Sequence, residues 1–102
     1  MLGFIKKLFG PPTDFKQLIQ NGAIIIDVRS ASEYKAGHIS GSLNIPVDSI
    51  KNKVEEIQKK NKPVITCCRS GARSGMAKSI LSTAGVEAYN GGPWNILLSK
   101  IR

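Results

Sequence analysis

From residue 13 onward the apolar positions switch between two periods. Phe15, Leu18 and Ile19 recur at helical spacing, Thr13 or Asp14 stands where a cap belongs, and Asn21-Gly22 stops the turn. Ala23-Ile24-Ile25-Ile26-Asp27-Val28 is a nearly continuous apolar run rich in β-branched residues, which predicts a strand covered on both faces. Ser30 begins Ser-Ala-Ser-Glu, a capping box completed by Glu33, and Gly37 closes that short helix. Ser42-Leu43-Asn44-Ile45 reads as a second strand, ended by Pro46. Asp48 is placed to cap a longer helix whose Ile50, Val54 and Ile57 share a face, and Asn61-Lys62-Pro63 breaks it. Val64-Ile65-Thr66-Cys67 predicts a third strand. A helix through Met76, Ala77, Ile80 and Leu81 follows, stopped by Gly85. Val86–Tyr89 predicts the last strand, Gly91-Gly92-Pro93 a turn, and Trp94 a terminal helix whose Lys100 and Arg102 suit its carboxyl end. Strands alternating with helices predict an α/β fold: a parallel sheet with helices on both faces and ligands at the carboxyl ends of the strands.

Length and composition bound this picture. The chain has 102 residues, 41% of them hydrophobic, which suits one globular domain and argues against disorder. No apolar run approaches the ~20 residues that span a bilayer. Met1–Gly10 carries Leu2, Phe4, Ile5, Leu8 and Phe9 around Lys6 and Lys7. This basic amphipathic segment, residues 1–12, precedes a single domain over 13–102. It is too short and interrupted for a signal-peptide core. Packing on the domain or fraying is favoured over membrane contact through residues 1–10, since one short segment anchors only marginally.

The net charge of +8 is uneven. Residues 1–56 hold seven Lys/Arg against six Asp/Glu, whereas residues 57–102 hold eight against one, Glu87. Both cysteines lie in the basic part, where a positive field attracts anions and lowers thiol pKa values. No aromatic-interleaved basic motif appears, so nucleic acid is not the expected partner. Two cysteines and His38 are too few for a structural zinc site, and neighbouring cysteines form only a strained disulfide. Free thiols in a reducing, cytoplasmic compartment are the simpler expectation, with no cofactor.

The chemistry concentrates in Cys67-Cys68-Arg69-Ser70-Gly71-Ala72-Arg73-Ser74. A thiol between a strand end and a helix start faces unpaired N–H groups and the positive end of the helix dipole. Gly71 lets the backbone curl into an anion nest, and Arg69 and Arg73 add positive charge. Strand alternation places Cys67 beside Ile65 as a packed, inert hydrophobe, and Cys68 leaves the strand as the expected nucleophile. From Cys68 the spacing is C-x4-R; from Cys67 it is C-x5-R.

These residues resemble the rhodanese-type sulfurtransferases. Asp27-Val28-Arg29, Glu33-Tyr34, Gly37-His38-Ile39, Gly41 and Asn44-Ile45-Pro46 look like the family's first signature. Pro63 to Ser74 looks like its active-site strand and loop, and Gly91-Gly92 with Trp94 like its closing signature. The resemblance covers roughly residues 13–98. It implies a three-layer fold with a roughly five-stranded, mainly parallel sheet. It implies that Cys68 takes a sulfane sulfur from a small anionic donor such as thiosulfate. The sulfur then passes to cyanide, or to a thiol such as thioredoxin or a low-molecular-weight thiol. The N–H groups of Arg69, Ser70, Gly71, Ala72, Arg73 and Ser74 would cradle the persulfide, and the two arginines would attract the donor. Asp27 and Arg29 take mainly structural roles, with Asp27 paired either to Arg29 or to Arg73. His38 sits in a structural turn, and Trp94 and Phe15 are core or pocket-rim aromatics.

Two other functions compete. A persulfide carrier fed by a partner protein would use the same loop. Phosphatases of the same fold have the longer C-x5-R loop, because phosphate needs the room. They also need a general acid, and no acidic residue lies between Cys68 and Arg73. Two departures from the family stand out. Gly-Gly-Pro-Trp replaces the usual Gly-Gly-x-x-x-Trp, which predicts a re-routed terminal segment, and Cys67 replaces the usual larger residue.

Overall fold

The computed structural model describes residues 12–102. The expected segment over residues 1–12 thus lies, apart from Pro12, outside the described residues. The elements are α1 (Phe15–Gln20), β1 (Ile24–Asp27), α2 (Ala31–Ala36), β2 (Leu43–Asn44), a 3-10 turn (Val47–Ser49), α3 (Ile50–Lys60), β3 (Val64–Cys68), α4 (Ala72–Thr83), β4 (Ala88–Pro93) and α5 (Trp94–Ile101). The strands form one parallel sheet in the order β2-β1-β3-β4. The α/β architecture is as expected, with four strands among the described residues where roughly five were anticipated.

Two apolar layers sandwich the sheet. On one face Ile26, Val28, Val64 and Cys68 pack against Ile50 and Ile57 of α3 and Ala77 and Leu81 of α4. On the other, Ile25, Ile65 and Cys67 pack against Phe15 of α1 and Leu97 of α5. The central strands β1 and β3 supply side chains to both layers, which is why they read as apolar runs rather than as alternation.

Local chemistry accounts for the helix boundaries. Asp14 accepts from the Gln17 N–H at 3.0 Å and starts α1. At α2 the capping box is complete: Ser30 accepts from the Glu33 N–H, and Glu33 accepts from the Ser30 N–H. Asp48, in contrast, caps nothing. Pro46 turns the chain into a 3-10 turn first, closed by Ser49 N–H to the Pro46 carbonyl, so α3 begins at Ile50 with no side-chain cap.

The last strand also departs from expectation. Val86 and Glu87 lie outside β4, and Gly91-Gly92-Pro93 belongs to it rather than to a turn. Thr66 pairs with Asn90, but Cys68 pairs with Pro93, so β4 fits an extra residue opposite β3. Gly92, at φ +76°, takes the left-handed conformation such a bulge needs. Trp94 follows Pro93 directly as the first residue of α5.

Candidate active site

Cys68 is the last residue of β3 and is buried; the strand runs one residue further than its apolar pattern suggested. Gly71, at φ +99°, then turns the chain back so that α4 starts over the sulfur. The Gly71 N–H donates to Cys68 Sγ at 2.9 Å and the Ser74 N–H at 3.4 Å, while the Ser74 hydroxyl lies 3.2 Å away. Burial pushes the Cys68 thiol pKa up. Hydrogen bonds from the Ser74 hydroxyl and from the N–H groups of Ser74, Gly71 and Ser70 outweigh it and leave the pKa below the ordinary thiol value.

Cys67 is equally buried but faces the other layer. Burial first, and then the nearby Asp27 charge, push its pKa up to about 12, which keeps it a neutral thiol. One peptide bond thus separates a sulfur whose hydrogen bonds favour the anion from a sulfur packed as a hydrophobe.

The arginines divide unequally. Arg69 is exposed and makes no ion pair among the described residues. Arg73 does not reach Asp27. It grips Glu33 in a two-pronged pair at 2.7 and 3.0 Å, so Glu33 serves both as the capping residue of α2 and as the partner of α4. This pair neutralises much of the charge that Arg73 was expected to offer an anion. Arg73 chiefly, then the Ser30 N–H, lowers the Glu33 pKa to about 2.

Asp27 and Arg29 pair with each other. The guanidinium donates to both carboxylate oxygens, at 2.9 and 2.7 Å, and also to the Gly37 carbonyl at 2.7 Å. Its carbon lies 4.9 Å from the centre of the Trp94 ring. Arg29 thereby ties the end of β1 to the end of α2 and the start of α5. His38 stacks on Tyr34 and bonds the Tyr34 carbonyl.

Two supports were not anticipated. Thr66 Oγ1 lies 2.8 Å from the Ser74 carbonyl and 3.2 Å from the Tyr89 carbonyl, tying α4 to β4 beneath the loop. Asn90 touches both Ser74 and Gly71. No periodic pattern marks Asn90; its place just before Gly91-Gly92 is the one cue. A separate hollow of about 310 Å³, lined by Gln58, Lys62, Pro63 and Glu87 among others, lies at the opposite end of β3 from Cys68.

The arrangement surrounds a buried thiol with converging N–H groups that favour its ionised form. It suits nucleophilic attack on a small electrophile and storage of a negative charge one atom beyond the sulfur.

The model for the rhodanese-like domain matches residues 11–93. An uncharacterized protein, YqhL of Bacillus subtilis (strain 168), is 42% identical over 69 residues, covering 67% of this chain and 54% of that protein. Thiosulfate sulfurtransferase PspE of Escherichia coli (strain K12) is 35% identical over 80 residues, covering 76% of this chain and 77% of PspE. The structure of the human single domain sulfurtransferase TSTD1 superimposes with a TM-score of 0.69 at 30% identity, covering 89% of this chain and 98% of that one. The chain thus spans about half the length of YqhL and three quarters of PspE. Among the described residues no helix is long and apolar enough to cross a membrane.

Proposed function

The chain belongs to the rhodanese-like domain family, and on that footing we propose that it is a sulfurtransferase working through a persulfide on Cys68. The observation that carries this reading is the nest around the sulfur: N–H groups of Gly71 and Ser74 and the Ser74 hydroxyl, all within 3.4 Å. The names of PspE and TSTD1, both sulfurtransferases, support the same chemistry.

The Cys68 thiolate attacks the sulfane sulfur of thiosulfate. A Cys68 S–S bond forms, the donor's S–S bond breaks, and sulfite departs with the electron pair. The persulfide keeps one negative charge on its terminal sulfur, and the loop N–H groups stabilise it. An acceptor thiolate then attacks that terminal sulfur, becomes a persulfide itself and returns Cys68 to a thiolate; cyanide in the same role leaves as thiocyanate. No oxidant or added proton is needed at either step. Arg69, exposed beside Cys68, draws the anionic donor, while Arg73 holds the loop to α2 through Glu33.

Intact mass spectrometry after thiosulfate treatment tests this reading. A gain of one sulfur in the wild type and in Cys67→Ala, absent in Cys68→Ser, is expected. A gain that survives Cys68→Ser and disappears in Cys67→Ala would move the nucleophile and overturn the assignment.

A further inference from the structure

The Ser74 hydroxyl has more acceptors than protons. Its oxygen lies 2.7 Å from Asn90 Oδ1, 3.2 Å from the Gly71 carbonyl and 3.2 Å from Cys68 Sγ, and it carries a single proton. The Asn90 carboxamide is oriented by two further bonds. Its Nδ2 donates to the Gly71 carbonyl at 3.2 Å, and its Oδ1 accepts from the Gly92 N–H at 2.9 Å. Flipping the amide would set N–H against N–H at Gly92, so an acceptor oxygen faces Ser74.

We propose that Asn90 is a positioning residue for Cys68, acting through Ser74 as a two-position hydroxyl switch that follows the charge on the sulfur. With Cys68 as a thiol, S–H donates to Ser74 Oγ and the hydroxyl donates to Asn90 Oδ1. With Cys68 as a thiolate, the hydroxyl turns its proton to Sγ, and Asn90 Oδ1 keeps the Gly92 N–H. When a second sulfur is added, the charge moves outward and the hydroxyl returns to Asn90, leaving the loop N–H groups for the terminal sulfur. Asn90 Nδ2 meanwhile holds the Gly71 carbonyl out of the nest, which keeps the Gly71 N–H aimed at the sulfur. Each state satisfies the hydroxyl, so neither strands a buried polar group.

The charged surroundings leave this role to the hydroxyl. On α4, Arg73 is paired with Glu33 of α2; Arg69 lies exposed in the loop; and Asp27, at the end of β1, pairs with Arg29 just beyond it on the Cys67 side. The stretch of β4 beside Cys68, Asn90 to Pro93, carries no titratable side chain.

The inference rests on the sulfurtransferase reading for its catalytic meaning, but its test reads the thiolate itself. The apparent pKa of Cys68 is measured by thiolate ultraviolet absorbance and by the pH dependence of alkylation, with the labelled cysteine located by tandem mass spectrometry. Asn90→Asp replaces the neutral acceptor with a carboxylate that holds the Ser74 proton and brings charge near the sulfur. It is expected to raise the apparent pKa by about one unit. In a Ser74→Ala background the same substitution is expected to move it by less than half as much, since the relay is gone. Thermal denaturation confirms that each variant is folded; should Asn90→Asp not fold, Asn90→His supplies a bulkier partner for the same comparison. An unchanged pKa in Asn90→Asp, or an equal shift with and without the Ser74 hydroxyl, would overturn the switch. Absence of thiosulfate turnover in the wild type, with the pKa coupling intact, would instead count against the reaction.

Discussion

Cys67 and Cys68 share a peptide bond and face opposite layers of the molecule. Cys67 packs with Phe15, Ile65 and Leu97, and Cys68 lies on the side of Ile26, Ile50 and Leu81. Strand geometry enforces the division, because successive side chains leave opposite faces. Cys67→Ser should therefore keep sulfur transfer while losing about 1–3 kcal/mol of stability, the cost of a hydroxyl in an apolar layer. Cys68→Ser should keep most of the stability and lose the transfer. Thiosulfate turnover beside urea denaturation separates the two effects; loss of turnover in Cys67→Ser at conditions where it remains folded would contradict the division.

The buried pair of Asp27 and Arg29 predicts a larger loss. Asp27 is fully buried, and Arg29 reaches from it to Gly37 and Trp94. Asp27→Asn leaves the guanidinium without its counter-charge, and breaking a buried pair in this way costs about 3–5 kcal/mol. Trp94 is the one tryptophan in the chain and lies against the affected group, so its fluorescence during urea unfolding reports the change directly. A midpoint equal to that of the wild type would show that the pair is dispensable.

The pair of Glu33 and Arg73 predicts an acid-sensitive contribution. Folding lowers the Glu33 pKa from 4.5 to about 2. Protonating Glu33 therefore costs the folded state more than the unfolded one, and the contribution is present above 4.5 and fades as pH falls towards about 2. Glu33→Gln retains a side chain able to complete the capping box and removes only the charge. The stability gap between wild type and Glu33→Gln should be constant near neutrality and close over that acid range. A gap independent of pH would mean that the pair contributes nothing through its charge.

How far the sequence carried these conclusions depended on whether the cause was local. The capping box at Ser30 and Glu33 and the apolar runs of β1 and β3 are set by neighbours in the chain, and they were legible. The strand register that separated the two thiols was legible for the same reason. Partnerships across the fold were not. Glu33 and Arg73 are 40 residues apart, and the role of Glu33 as a cap already accounted for its presence. Asn90 meets Ser74 only because β4 lies beside β3. Gly91-Gly92-Pro93 carries turn chemistry, yet it forms the bulged end of a strand, where the approach of β3 and α5 leaves no room for a side chain at Gly91.

That close approach sets up a controlled comparison between Gly91 and Gly85, which lies before the other end of β4. A Cβ on Gly91 would stand 2.8 Å from the Thr66 carbonyl oxygen and 2.9 Å from side-chain carbons of Ile65 and Leu97. The carbonyl belongs to the central strand and is not free to retreat, so Gly91→Ala should cost about 1–3 kcal/mol as overpacking. The push also reaches Asn90 next door, so turnover should fall with stability. Gly85 has φ +84° but open space around it, so Gly85→Ala adds strain without a clash, about 1–2 kcal/mol for an L residue in that conformation. Gly85 precedes β4 at the end of the sheet away from Cys68, and its substitution should leave the turnover of the folded protein unchanged. Denaturation midpoints and thiosulfate turnover measured on both variants decide the point: equal turnover losses would show that stability alone, and not the packing of β4 against the loop, governs the site.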